Sequence, residues 1–98
     1  MPEEPGILLE EEIESEAVTE LPWHVILYND DVHSIDEVVF QVQKATSVSL
    51  EKAVEITLEA HYQGRAICFS GSNEECQRVA AVLKQIDLHV EIDQPAGG

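Results

Sequence analysis

The stretch WHVILYNDD, residues 23–31, decides how this chain folds. Its first six residues are mostly apolar, aromatic or β-branched, which is typical of a strand. Ser34–Glu37 (SIDE) follows closely and has the S-x-x-E form of a capping box that begins a helix. The polar residues 29–31 therefore lie in a short loop between a strand and a helix.

Asn29, Asp30 and Asp31 allow two interpretations. Asn and Asp hydrogen-bond their own backbone and are common in turns, so a plain turn is the simpler interpretation of this stretch alone. Loops held by a rigid strand and helix are also where binding groups usually lie. Three adjacent polar side chains, two of them anionic, cannot serve a hydrophobic core.

The rest of the chain continues with clear apolar periodicity. Ile35, Val38, Val39 and Val42 recur at helical spacing, and Ser49 and Gly64 fit the cap and the end of a second helix. The order β-α-α-β-α-β implies an α+β domain with helices over one face of a small sheet. The predicted elements are a strand at 23–28, helices at about 35–45 and 50–62, a strand at 65–69, a helix opening at the capping box Ser72–Glu75, and a strand at 88–92.

His61 belongs to the second predicted helix. A helical wheel at 100° per residue places it with Leu50, Val54 and Thr57 along the middle of the apolar side. A histidine in that position must find hydrogen-bond partners. A core histidine bonded to the backbone is the simpler interpretation of this residue alone.

Composition divides the chain into two parts. Residues 1–20 contain eight Glu and no basic residue, and such a segment cannot bury enough apolar surface to fold. It is predicted to be a disordered acidic extension that contains only short apolar islands at Ile7–Leu9 and Ile13. Residues 21–94 carry most of the hydrophobic content and are predicted to form a single domain with a modest core.

Charge and cysteine content exclude several functions. The formal net charge of −15 disfavours nucleic acid and anionic membranes, because both require a basic surface. No apolar run reaches transmembrane length, and the acidic N-terminus lacks the pattern of a signal peptide. Cys68 and Cys76 have neither metal-ligand nor redox spacing, so they are predicted to be buried thiols of a reduced, cytoplasmic protein.

Two separated motifs resemble one known family. Val25–Asp31 (VILYNDD) and His61–Cys68 (HYQGRAIC) stand at the spacing found in ClpS, the adaptor that brings N-degron substrates to a Clp AAA+ unfoldase and the ClpP protease. The resemblance implies a three-stranded antiparallel sheet with three helices, preceded by an unstructured extension. It also implies a monomer that binds the N-terminal domain of a ClpA- or ClpC-like unfoldase, with no catalytic residue, metal or cofactor.

The resemblance also implies a binding site for the first residue of a substrate protein when that residue is bulky and apolar. Two departures bear on it: Thr57 replaces the family's usual Met, which narrows the pocket against β-branched residues, and Ser34 replaces its usual Pro. The C-terminal part is shorter as well. By resemblance, Asn29, Asp30, Asp31 and His61 hold the substrate's α-ammonium group, and Leu27, Ile35, Val38, Thr57 and Ala60 form the pocket for its side chain.

Two other functions stay open at this point. A metal-dependent enzyme would use His61, Asp30, Asp31 and His33, although adjacent Asp residues point in different directions and the histidines lack tight ligand spacing. Alternatively, the domain keeps the fold, has lost peptide binding because of Thr57, and only modulates the unfoldase.

Overall fold

The computed structural model describes residues 21–94. The predicted disordered extension at 1–20 and the last residues, 95–98, lie outside the described residues. Within the described part, the predicted order and the α+β class are confirmed. The elements are β1 (Trp23–Tyr28), α1 (Ile35–Thr46), α2 (Leu50–Gln63), β2 (Arg65–Gly71), α3 (Asn73–Lys84) and β3 (Val90–Asp93).

β1 is the central strand of a three-stranded antiparallel sheet with the order β2-β1-β3. Its alternate residues Val25 and Leu27 are fully buried, whereas Ile26 and Tyr28 are half-buried on the other face. The period-2 pattern of this strand therefore sets which face receives the helices. Cys68 is an extra residue in β2, because Val25 pairs with Phe69 and Ile26 pairs with Ile67.

β3 begins later than predicted, at Val90 instead of Leu88. Asp87 adopts a left-handed conformation with φ 64°, and the chain enters the sheet only after this turn. Leu88 is buried in the core all the same, and the carbonyl of His89 accepts a hydrogen bond from the Tyr28 backbone at 3.0 Å. Apolar alternation therefore extended the predicted strand two residues beyond its regular pairing.

The helix termini follow the caps that the sequence indicated. Ser34 and Glu37 form a reciprocal capping box at the start of α1, and Ser72 and Glu75 form another at α3. Ser49 caps α2, whose other end is closed by Gly64 at φ 96°, a conformation that residues with a side chain rarely adopt. These caps fix where α1 begins and where α2 ends, the two places that border the loop at 29–33.

Cys68 and Cys76 are buried free thiols, as predicted. Burial raises the pKa of the Cys68 thiol to about 12, and burial also raises the pKa of Cys76. Because only thiolates react readily with disulfide reagents, we expect neither cysteine to be labelled at pH 8 in the folded protein. Labelling with a chromogenic disulfide, with and without denaturant, measures this; rapid modification of the folded protein would contradict it.

Among residues 21–94, no helix is long and apolar enough to cross a membrane.

Candidate functional site

A backbone hydrogen bond joins the two motifs that are separated in the sequence. The Asn29 N–H donates to the carbonyl of Gly64 at 2.9 Å, which ties the end of β1 to the end of α2. His61 lies one turn before Gly64 on α2. The polar loop and this histidine are therefore neighbours in space, although about thirty residues separate them in the chain.

A small open pocket lies where β1, α1 and α2 meet, with an empty volume of about 260 Å³, part of it open to solvent. Because that volume includes open solvent, the enclosed part of the pocket is much smaller than the roughly 300–1,000 Å³ of sites for drug-sized ligands. Buried apolar residues form its interior, and polar residues of the loop and α2 stand beside them. The lining residues are Leu27, Tyr28, Asn29, Asp30, His33, Ile35, Val38, Thr57, Ala60 and His61.

Eight of the nine residues proposed from the sequence line this pocket. Asp31 does not line it: its carboxylate accepts a hydrogen bond from Asn29 Nδ2 at 3.2 Å and is otherwise exposed. Sequence reasoning did not assign Tyr28 and His33 to the pocket. Tyr28 directly precedes the polar loop and follows the buried Leu27, and His33 stands three residues after Asp30, where an Asp side chain commonly closes a turn.

Asp30 is held by His33 through one carboxylate oxygen. Asp30 Oδ2 accepts from the His33 backbone N–H, and His33 Nδ1 lies 2.7 Å from the same oxygen. The Asp30 and His33 side chains are only 14% and 17% exposed. Burial acts to raise the pKa of Asp30, but the hydrogen bonds and the charge of His33 outweigh it and leave the pKa below its ordinary value. Asp30 therefore stays anionic throughout the neutral range.

The Asn29 side chain is oriented by its contact with Asp31. A carboxylate can only accept, so the amide nitrogen of Asn29 faces Asp31 and the amide oxygen Oδ1 is directed elsewhere. Asn29 is thereby left with an acceptor for a ligand at the pocket.

His61 is exposed, which corrects the prediction that it lies at the centre of the buried side of α2. The buried residues of this helix are Ala53, Ile56, Thr57 and Ala60, and their centre lies about 90° around the helix from His61. The wheel was misleading because Leu50, counted as core, is 55% exposed.

The His61 ring contacts the Tyr62 ring edge-on, with centroids 4.8 Å apart. Within residues 21–94 it makes no hydrogen bond, so both ring nitrogens can meet a ligand.

Thr57 is buried, with only 3% of its surface exposed. Its hydroxyl donates to the Ala53 carbonyl at 2.8 Å, within its own helix. The hydroxyl is therefore already hydrogen-bonded in the absence of a ligand, so Thr57 does not present an unsatisfied polar group to the pocket.

The arrangement of these side chains does not provide a three-ligand metal site. Among residues 21–94, no three His, Cys, Asp or Glu side chains are grouped so as to hold an ion. What the site offers is an anionic carboxylate, an amide oxygen and an accessible imidazole beside a small pocket with an apolar interior. The fold and the site together define a small α+β domain with a small pocket where β1, α1 and α2 meet.

Comparisons with known proteins agree with this description. The family model described as "ATP-dependent Clp protease adaptor protein ClpS" matches residues 19–91. The chain belongs to the ClpS family, the adaptors of the ATP-dependent Clp protease.

Similar proteins cover most of the chain. The Clp protease adapter ClpS of Streptomyces coelicolor is 30% identical over 84 residues, covering 86% of this chain and 88% of that protein. The one of Mycobacterium marinum is 33% identical over 93 residues, covering 95% and 92% respectively. Agrobacterium tumefaciens ClpS2, solved bound to L-phenylalaninamide, shares the fold with a TM-score of 0.70 at 16% identity, covering 76% of this chain and 96% of that one.

Proposed function

We propose that this chain binds the first residue of substrate proteins when that residue is bulky and apolar, and delivers those proteins to a Clp AAA+ unfoldase and protease. The unfoldase contact is proposed to use a ClpA- or ClpC-like N-terminal domain, with the adaptor acting as a cytoplasmic monomer. One observation carries the proposal: Asn29, Asp30 and His61 line the same small pocket as a set of buried apolar residues.

An α-ammonium group matches these three neighbours. It carries three N–H donors and a positive charge, so it needs acceptors and an anion in a partly buried place. Asn29 Oδ1, the Asp30 carboxylate and one nitrogen of neutral His61 supply them, and Asp31 adds negative charge while holding Asn29. Each hydrogen bond to a charged group contributes about 1.5–3 kcal/mol.

The pocket interior accounts for a preference for apolar side chains. Leu27, Val38, Thr57 and Ala60 are buried, and Ile35 stands at the edge. Burial of one Leu or Phe side chain contributes about 1.5–3 kcal/mol. After the cost of association, affinity for a free N-terminal residue is expected near the micromolar range.

The ligand seen in a structural relative has the same chemistry. Agrobacterium tumefaciens ClpS2 was solved with L-phenylalaninamide, which has a free α-amino group and a bulky aromatic side chain. That observation belongs to ClpS2, and it supports the proposal for this chain because the pocket lies in a domain of the same fold.

Calorimetric titration with short peptides that begin with Leu or Phe tests the proposal. The same peptides beginning with Gly serve as ligand controls, and His24→Ala is a matched protein control. His24 lies on the other side of the sheet, with its Nδ1 2.7 Å from Ser70 Oγ, and it does not line the pocket. Saturable binding of Leu and Phe peptides alone, unchanged by His24→Ala, is expected. Failure of all peptides to bind would leave only a domain that modulates the unfoldase.

Removing residues 1–20 is expected to separate binding from delivery. Within residues 21–94, no residue that lines the pocket precedes Leu27. We expect the shortened protein to bind a Leu peptide within about twofold of the full chain, which is under about 0.5 kcal/mol. We expect slower degradation of a Leu-initiated reporter by the unfoldase and protease. The two measurements are peptide affinity and degradation rate, and an undiminished rate would show that residues 1–20 are dispensable for delivery.

A further inference from the structure

His33 and Tyr28 are the two described pocket residues for which the proposed function gives no role, and His33 is the one that contacts Asp30. It lines the pocket, its side chain is 17% exposed, and it directly precedes Ser34, the cap of α1. Its backbone and its ring both contact the same oxygen of Asp30. Among the described residues, His33 is the only basic side chain that forms an ion pair with Asp30.

The contact determines which ring nitrogen of His33 carries hydrogen. Asp30 is anionic and can only accept, so Nδ1, at 2.7 Å, must donate. In the neutral ring, Nε2 then carries no hydrogen, and the His33–Asp30 pair has a net charge of minus one. With Oδ2 occupied by His33, Oδ1 is the Asp30 oxygen left for a ligand.

A proton on Nε2 changes this balance without breaking the contact. The pair then has no net charge, because imidazolium and carboxylate neutralise each other. A substrate ammonium placed beside Asp30 would also meet a second cation at close range in a partly buried site. An unperturbed histidine changes charge between pH 5 and 8, so the competition is tested by changing the pH across that range.

We propose that His33 is a positioning residue of the ammonium site, holding Asp30 for the substrate when neutral and competing with the substrate's amino group when protonated. The inference rests on the proposed function and goes beyond it by making substrate capture depend on proton concentration through a residue that need not touch the substrate. Because Asp30 remains ionised throughout the window, its own titration does not contribute.

Other titratable groups lie on the elements that form the pocket, and each of them could contribute to the pH dependence of binding. They are Asp31 on the same loop, Asp36 and Glu37 in the first turn of α1, His61 on α2, Arg65 in β2, and the His89–Glu91 pair at the far side of Tyr28. His61 matters most, since it must be neutral to accept from the ligand. A substitution at His33 alone leaves all of these groups in place.

His33→Asn is the decisive variant. The Asn amide nitrogen occupies the place of Nδ1 and can donate to Asp30, but it cannot take up a proton at these pH values. His33→Ala removes the side-chain donor and keeps only the backbone N–H bond. Affinity for a Leu-initiated peptide and for its N-acetylated form is measured for all three proteins at pH 7.5 and 5.5. Thermal melts confirm that each protein is folded.

At pH 7.5 we expect His33→Asn to bind the free peptide within about threefold of the native protein, and His33→Ala to bind about tenfold more weakly, a loss of about 1.4 kcal/mol. From pH 7.5 to 5.5 the native protein should lose at least about threefold more affinity than His33→Asn. Calorimetry in buffers of different ionisation enthalpy should show the native protein releasing more protons on binding at pH 6 than His33→Asn does. The peptide's own ionisation and that of His61 cancel in this comparison.

Equal pH profiles and equal proton release for the native protein and His33→Asn would overturn the role of His33 while leaving peptide binding intact. Undiminished affinity of His33→Ala at pH 7.5 would likewise overturn it. Absence of any binding by the native protein would instead overturn the proposed function, and this inference with it.

Discussion

Acetylating the N-terminus of a Leu- or Phe-initiated peptide is expected to abolish its binding. Acetylation removes the positive charge and two of the three donors that Asn29, Asp30 and His61 are proposed to meet. Those contacts to a charged group are worth several kcal/mol together, which is a loss of more than a hundredfold in affinity. Fluorescence anisotropy with matched free and acetylated peptides measures the difference.

The same experiment identifies the residues involved. Asn29→Ala and His61→Ala should each lower the affinity for the free peptide by more than tenfold, over about 1.4 kcal/mol. His24→Ala should leave that affinity unchanged. Because His61 is exposed and makes no hydrogen bond within residues 21–94, His61→Ala should leave thermal stability nearly unchanged. Equal affinities for free and acetylated peptides would rule out recognition of the α-amino group.

The second large effect is expected at Thr57, which lines the pocket one turn before His61. A Met at this position would extend a flexible thioether into the space next to the substrate's Cβ, whereas Thr leaves that space open. Peptides beginning with Ile or Val, which carry an extra methyl at Cβ, should therefore bind within about tenfold of Leu, a difference under about 1.4 kcal/mol. Thr57→Met should restore discrimination against them and leave Leu and Phe nearly unchanged.

Thr57→Val is the matched control for this substitution. The Thr57 hydroxyl already donates to the Ala53 carbonyl, so replacing it with a methyl group changes shape little and tests polarity alone. We expect Thr57→Val to keep the order of preference of the native protein. Strong rejection of Ile and Val peptides by the unmodified protein would show that Thr57 does not widen the pocket.

Most of the fold was predictable because local and periodic signals agree. Three capping serines and one left-handed glycine marked helix ends, and the alternation in β1 set the buried face of the sheet. The predicted start of β3, at Leu88, was too early, because a residue can be buried beside a sheet without being paired in it.

The resemblance had already grouped most of the residues that line the pocket, whereas the contacts between them could not be predicted from the sequence. The predicted burial of His61 on α2 was wrong because a helical wheel counts Leu50 as core by its hydrophobicity. The helix packs through Ala53, Ile56 and Ala60 instead. Small residues permit the close approach that sets which side is buried. The contact of His33 with Asp30 depends on the conformation of one loop, which no periodic pattern reports.

The bond between Asn29 and Gly64 has a consequence for how the pocket responds to damage elsewhere. The two halves of the pocket come from the end of β1 and the end of α2. They meet only when the central strand is paired with β2. Apparent affinity for a ligand scales with the fraction of molecules in the competent state. A core substitution far from the pocket, such as one at Val79 in α3, would then weaken capture once it removes enough stability to lower the population in which the two halves coexist.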